Sequence, residues 1–206
     1  MEVNEVRRVR SKVHLLIGSE RIVIPARLYQ ERPIQAGDDI DLDEFDQWLL
    51  LHQYRPALDY AVSLLSARAH STRELEDKLT RLGYRPATVE MVLYKLSSNG
   101  LTDDADFARQ WVASRANRKL GRSRIAQELR RKGISADDAE AALDQLDEDD
   151  QLSAAVDLVQ KGLRRAKSGE DPRKTANRLI AMLARRGYSY DQAKEALRQA
   201  MTIEDT

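Results

Sequence analysis

Residues 125–146 read IAQELRRKGISADDAEAALDQL, and this stretch decides the fold because the chain carries its pattern three times. Residues 75–96 read LEDKLTRLGYRPATVEMVLYKL, and residues 179–200 read LIAMLARRGYSYDQAKEALRQA. Measured from Gly83, Gly133 and Gly187, apolar residues recur at the same five offsets. They are Leu75, Leu79, Val89, Leu93 and Leu96 in the first copy, and Ile125, Leu129, Ala139, Leu143 and Leu146 in the second. In the third they are Leu179, Leu183, Ala193, Leu197 and Ala200. The two positions before each glycine are one helical turn apart and form one apolar stripe. The glycine stands where that helix stops, because it enters the left-handed conformation at little cost. The large residue after it (Tyr84, Ile134 or Tyr188) can pack back over the helix end. Ser135 and Ser189 are placed to N-cap the following helix. In the first copy Arg85-Pro86 takes that place, with the proline suited to a first helical turn.

Upstream of each pair, a further helical pattern predicts a leading helix: Pro56–Ala69, Asp103–Lys119 and Asp150–Lys167. Each unit is then three helices, and the glycines lie 50 and 54 residues apart. A unit this short buries a modest core, and stacking copies end to end buries more. The expected fold is mainly α: three tandem three-helix repeats in an elongated array, with a small N-terminal β-hairpin extension. The expected boundaries are 1–54 for the extension (hairpin plus helix), 55–101 for repeat one, 102–147 for repeat two and 148–206 for repeat three. Tetratricopeptide and ankyrin arrays are excluded, because their periods are ~33–34 residues.

The first 50 residues read differently. Val6, Val9, Val13, Leu15 and Ile17 lie at mostly two-residue spacing, and Gly18-Ser19-Glu20 interrupts them. Ile22, Ile24, Ala26 and Leu28 then alternate again, so a β-hairpin is expected. Pro33 and Gly37 end that region. The carboxylates of Asp41 and Asp43-Glu44 mark a helix start and predict a helix over Asp43–Gln53.

The chain has 206 residues, no cysteine, and 34 basic against 34 acidic side chains. Disulfides, thiolate nucleophiles and Cys-ligated metals are excluded. No stretch approaches the ~18–20 uncharged apolar residues of a membrane span. The N-terminal MEVNEVRRVR lacks the apolar core of a secretory signal, so a cytoplasmic location is expected. Zero net charge at first argues against polyanionic partners, but the charges are sorted. Residues 115–132 carry a net +7, residues 135–150 hold eight acidic and no basic groups, and residues 161–186 carry a further +7. The plain reading is solvated helix faces. The sharper one is a surface with separate positive and negative territories.

No constellation supports catalysis. Neither common glycine-rich phosphate loop is present. His14, His52 and His70 are far apart and unpaired, with His14 expected to face outward from its strand. Asp147-Glu148-Asp149-Asp150 fits a helix N-terminus better than a metal or acid–base cluster. Trp48 and Trp111 have apolar helical neighbours and are expected in cores. No metal and no cofactor are expected. What remains is a set of basic groups that can meet phosphates or an acidic protein surface. In repeat two they are Arg115, Arg118, Lys119, Arg122, Arg124, Arg130, Arg131 and Lys132. Gly121 is expected to end the leading helix and split that cluster. In repeat three they are Lys161, Arg164, Arg165, Lys167, Arg173, Lys174, Arg178, Arg185 and Arg186. Arg outnumbers Lys by 12 to 5 in these two segments, which suits forked hydrogen bonding to carboxylate or phosphate.

Gly100-Leu101-Thr102-Asp103-Asp104, Phe107-Ala108, Arg115, Gly121, Ile125, Glu128-Leu129 and Lys132-Gly133-Ile134 resemble the central signature of RecX proteins, bacterial regulators of the RecA recombinase. The run Ser71–Leu79, with its S-x-x-E-L-x-x-K-L spacing, is similar to the family's first repeat. The resemblance covers about Pro56–Met201, and the N-terminal segment matches only weakly the β-rich extension of some members. It implies tandem three-helix modules without enzymatic activity that lie in the groove of the RecA–DNA filament and limit its recombinase, ATPase and co-protease activities. That places the protein in DNA recombination, DNA repair and the SOS response. It also implies a monomer whose basic groups face filament DNA or acidic RecA surface, with weak direct contact to single- or double-stranded DNA. Phe107 and Trp111 would sit in the core, with Asp103 as an N-cap. Two other classes compete: a stand-alone DNA-binding protein built from helix-turn-helix-like repeats, and an adaptor recognising a helical peptide.

Overall fold

Alternating side chains build the start of the chain into a sheet, and the computed structural model, which describes residues 1–165 and 171–204, gives that sheet three strands. They are β1 (Val3–Val9), β2 (Lys12–Ile17) and β3 (Glu20–Pro25), antiparallel in the order β1-β2-β3. The expected hairpin is therefore one strand short. Its first run is broken by a tight turn at Arg10-Ser11, closed by the pair Val9↔Lys12. Arg10 is left-handed, with φ +55°. Such turns favour Gly, Asn or Asp, so an arginine there carried no turn signal. The second turn, at Gly18-Ser19, lies where expected, closed by Ile17↔Glu20.

The second alternating run also ends early. Pro25 has no N–H to extend the ladder, and α1 (Ala26–Glu31) follows it. Ala26 and Leu28 are buried as helical rather than strand residues. Val13, Leu15, Ile17, Ile22 and Ile24 cover one sheet face and pack with Phe45 and Leu49.

Phe45 and Leu49 belong to α2, which runs unbroken over Leu42–Ala67. The two helices expected on either side of Pro56 are thus one. A proline inside a helix costs about 3 kcal/mol, but burial continues on both sides of it. Phe45 and Leu49 serve the sheet core, and Ala57 and Ala61 serve the core of repeat one. The N-terminal end of α2 is capped by Asp41, which accepts from the N–H groups of Asp43 and Glu44.

Repeat one continues with α3 (Thr72–Leu82) and α4 (Pro86–Ser98). Repeat two is α5 (Asp104–Ala116), α6 (Arg122–Arg131) and α7 (Ala136–Leu143). Repeat three is α8 (Glu148–Leu163), α9 (Pro172–Arg186) and α10 (Tyr190–Glu204). The chain divides into two compact units, Met1–Asp103 and Asp104–Thr206. The sheet and repeat one form the first, and repeats two and three form the second.

The three glycines end their helices as expected, at φ +91°, +75° and +92°. In each copy the residue after the glycine donates its N–H to the carbonyl five residues back: Tyr84 to Leu79, Ile134 to Leu129, Tyr188 to Leu183. With the glycine N–H reaching three residues back, this is a Schellman motif, and the large residue covers the helix end. Tyr84, Ile134 and Tyr188 are all buried, and burial pushes the Tyr188 hydroxyl up to about 12. The six residues on the stripe before the glycines are essentially inaccessible. Past the glycines the core position shared by all three is one the sequence reading missed: Val92, Ala142 and Ala196 are buried, whereas Leu93 and Leu197 are half-buried.

Ser135 and Ser189 do cap their helices, accepting from the N–H groups of Asp138 and Gln192. Where Arg85 offers no cap, buried Gln53 supplies one from α2, its Oε1 accepting from the Arg85 N–H at 2.8 Å.

His70 is buried between α2 and α3, near Arg68, Glu74 and Lys78. Its Nδ1 lies 3.4 Å from a Glu74 oxygen without hydrogen-bond geometry. Burial, and then the Arg68 charge, lower its pKa below the usual 6.5. The unfolded chain therefore takes up the proton first. His70's contribution to stability is complete above pH 6.5 and falls as pH drops below it. Thermal melting should show a lower midpoint at pH 5.5 than at pH 7.5, with the difference reduced in His70→Gln. An unchanged pH dependence in that variant would exclude His70 as its source.

Candidate functional site

The basic groups of repeats two and three are sorted by the fold into three sets. The first set is used internally. Arg115 is largely buried, and its Nε donates to Glu128 at 2.6 Å. Its guanidinium lies 3.7 Å from the centre of the Trp111 ring, and the Lys132 Nζ lies 3.9 Å from it. Trp111 is half-buried against the repeat-two core as expected, with Phe107 buried beside it, and its indole N–H also donates to Glu128, at 3.1 Å. Arg122 donates to the Leu143 carbonyl at 2.7 Å and to Glu140 and Asp144 at 2.6 and 2.8 Å. The Asp144 and Glu140 hydrogen bonds raise its pKa above the ordinary guanidinium value. Lys119 pairs with Asp157, and that hydrogen bond holds the Asp157 carboxyl below the usual carboxylate range. Arg186 reaches the carbonyls of Arg118 and Lys119 at 3.3 and 3.5 Å.

The second set meets at one cleft. It lies between α6, α7 and the C-terminal end of α9 and has a volume of about 570 Å³. Arg124 and Arg130 come to it from repeat two and Arg185 from repeat three. Arg124 donates to Gln127 at 3.2 Å and lies 3.6 Å from Glu128. Arg130 and Arg185 are exposed and have no ion-pair partner among the described residues. The third set, Arg118, Arg131, Lys161, Arg164, Arg165, Arg173, Lys174 and Arg178, is exposed and does not line this cleft. Lys167 lies outside the described residues.

Two glycines hold the cleft walls together, and their second role was not legible in the sequence. Gly121 does not end α5, which stops at Ala116 and is followed by left-handed Lys119, φ +56°. It stands at the N-cap of α6 with no side chain to cap it. The capping comes from repeat three: the Gly121 N–H donates to the Arg186 carbonyl at 2.9 Å, and the Ser123 N–H to the Gly187 carbonyl at 3.2 Å. A helix N-terminus has free N–H groups and a C-terminus free carbonyls, so each end satisfies the other. A side chain would prevent it. A Cβ on Gly121 would lie 2.4 Å from the Gly187 oxygen, and one on Gly187 would lie 2.3 Å from the Arg124 nitrogen.

Asp147 caps α8 by accepting from the Asp150 N–H, with Glu148, Asp149 and Asp150 in the first turn. Among the described residues, no group of three or more His, Asp or Glu side chains could hold a metal ion. Among them, too, no helix is long and apolar enough to cross a membrane. His14 is exposed on β2 as expected. His52 lies within α2 and stacks on Trp48, with ring centroids 4.5 Å apart. Trp48 is half-buried against the sheet core.

Comparison with known proteins follows these same divisions. Family models for the first, second and third three-helix domains of RecX match residues 57–96, 103–143 and 148–197. The regulatory protein RecX of Mycobacteroides abscessus is 42% identical over 149 residues, 72% of this chain and 73% of that protein. That of Mycobacterium ulcerans is 44% identical over 135 residues, 65% and 78% of the two chains. RecX from Lactobacillus salivarius aligns with a TM-score of 0.67 at 25% identity, covering 74% of this chain and 99% of that one. A second crystal structure, of a regulatory protein RecX, has a TM-score of 0.67 over 96% of this chain and 98% of its own, and at 21% identity it shows the shared fold. With three helical repeats each matched in order and these degrees of identity, the chain belongs to the RecX family of regulatory proteins.

Proposed function

We propose that this protein is a non-enzymatic modulator that binds the groove of the RecA–DNA filament and inhibits the recombinase, ATPase and co-protease activities of RecA. It acts in the cytoplasm as a monomer. The observation that carries this reading is the ordered match of all three helical repeats to RecX domains. The exposed arginines of the second unit support it, because they offer forked donors to phosphate or carboxylate. Inhibition follows from occupancy of the groove, which blocks subunit addition or promotes disassembly.

The test is ATP hydrolysis by RecA on single-stranded DNA with substoichiometric protein. The expected result is a fall in rate with time after addition, and an unchanged rate and extent would sink the reading. A stand-alone DNA-binding role is favoured only by the exposed cations outside the cleft. It requires tight duplex binding without RecA that weakens steeply with salt.

A further inference from the structure

We infer that the cleft between α6, α7 and the end of α9 docks a protein segment bearing an aliphatic side chain flanked by carboxylates, rather than nucleic acid. Three features carry this. The floor is partly apolar, with Ala126, Ala136, Ala139 and Ala184 in its lining over buried Ile134 and Leu143, and Ser123, Gln127 and Ser135 add polar surface. One side is cationic, through Arg124, Arg130 and Arg185. The α7 side is acidic on balance: Glu140 lines the cleft, and Asp137, Asp138 and Asp144 lie on or beside the same helix, with Arg122 offsetting one charge by pairing with Glu140 and Asp144.

A nucleic-acid backbone is charged at every residue. Laid in this cleft, it would bring phosphates against the α7 carboxylates and leave the apolar surface without a partner. A polypeptide can differ from residue to residue. Its carboxylates can take the guanidinium forks, which match carboxylate geometry, while an aliphatic side chain fills the interior. The volume suits this, since sites of roughly 300–1,000 Å³ accommodate ligands of several side chains' size. The cleft is also preformed. Backbone hydrogen bonds already join Gly121 to Arg186 and Ser123 to Gly187, so binding need not first order the two repeats. Arg130 and Arg185 have no competing ion pair among the described residues.

The proposal rests on the RecA reading only for the identity of the partner, and the test separates the two. In the first arm, the whole chain is titrated against a short fluorescein-labelled Glu/Leu peptide, its Lys/Leu counterpart and an oligo-dT strand, read by anisotropy. The Glu/Leu peptide should bind and the Lys/Leu peptide should not. The double variant Arg130→Glu, Arg185→Glu should weaken peptide binding by roughly tenfold or more, because like charges then face each other. Lys161→Glu with Arg165→Glu, outside the cleft, should change it by less than about threefold. Circular dichroism checks that both variants remain folded. No binding of the Glu/Leu peptide, equal binding of the Lys/Leu peptide, or a larger loss for oligo-dT than for the peptide in the cleft variant would overturn the proposal.

In the second arm, a photoreactive benzoylphenylalanine replaces exposed, cleft-lining Ala184, and the chain is irradiated on RecA filaments. A protein adduct is expected, and an adduct to DNA alone would overturn the proposal. A chain that fails to co-sediment with filaments would sink the RecA reading, and the peptide arm would then decide the cleft's chemistry.

Discussion

Gly121→Val is expected to release repeat three from repeat two, with a loss of about 2–4 kcal/mol, combining overpacking with two forfeited backbone hydrogen bonds. The added Cβ would stand 2.4, 2.5 and 2.6 Å from the Gly187 oxygen, the Gly187 carbonyl carbon and the Tyr188 nitrogen. All three are backbone atoms, so no rotamer change relieves the contact. Gly121 has φ −79°, an ordinary value for any residue. The loss therefore reports the close approach alone. The measurement is urea unfolding in a Trp48→Phe background, followed by Trp111 fluorescence and by circular dichroism. Trp111 is then the one tryptophan, because the chain has two, and it reports repeat two. The circular dichroism transition should move to lower urea and separate from the fluorescence transition. Coincident transitions with an unchanged midpoint would show that the two repeats are not joined through this contact.

Gly162→Ala gives the contrast. Its Cβ would lie 2.3 Å from Leu179 Cδ2, the end of a flexible side chain. Alanine also gains roughly 1 kcal/mol of helix propensity over glycine. Its net effect should be smaller than that of Gly121→Val, although its closest contact is just as short.

The second large effect is expected at Glu128. Its two oxygens meet the Trp111 indole N–H, the Arg115 Nε and, at 3.6 Å, the Arg124 Nε. Glu128→Ala leaves Arg115, only 16% exposed, without its carboxylate. Breaking a fully buried pair costs about 3–5 kcal/mol, and this pair keeps some water, so about 2–3 kcal/mol is expected. Glu128→Gln keeps one acceptor oxygen and should lose less. Thermal melting in the same Trp48→Phe background, followed by circular dichroism alongside Trp111 emission, measures both. An alanine variant that melts with the wild type would mean that water replaces the carboxylate without loss. The effect should reach the cleft as well, since Glu128 is one of the two side chains that restrain Arg124.

The repeat was legible because its signals are local. A stripe at one-turn spacing, a glycine and a large apolar residue specify a helix, its stop and its cover within about ten residues. Ser135, Ser189 and the Asp147 run were readable as caps for the same reason. The misreadings fell where distant contacts overrode local cues. Left-handed Arg10 turns the chain without a turn residue. Pro56 sits inside α2 because the sheet core on one side and the repeat-one core on the other hold the helix together. The shared buried position Val92, Ala142 and Ala196 lies one residue before Leu93, Leu143 and Leu197, because helix packing selects a face rather than the longest apolar side chain. Leu93 and Leu197 fall at the edge of that face, and Leu143 is buried with its neighbour.

Charge divides along the same line. The segregation of basic and acidic blocks, and with the central signature the family, came from residue order alone. Which arginine faces what did not, because a guanidinium's partner depends on residues far along the chain. Arg122 is spent on Glu140, Asp144 and the Leu143 carbonyl. Arg186 goes to carbonyls 67 and 68 residues away. Arg124, Arg130 and Arg185 are brought to one cleft because Gly121 and Gly187, each readable on its own only as a break between helices, lie close enough for two backbones to bond. Local spacing dictates helices and their ends, whereas the meeting of two helix ends is a packing event that no single stretch encodes.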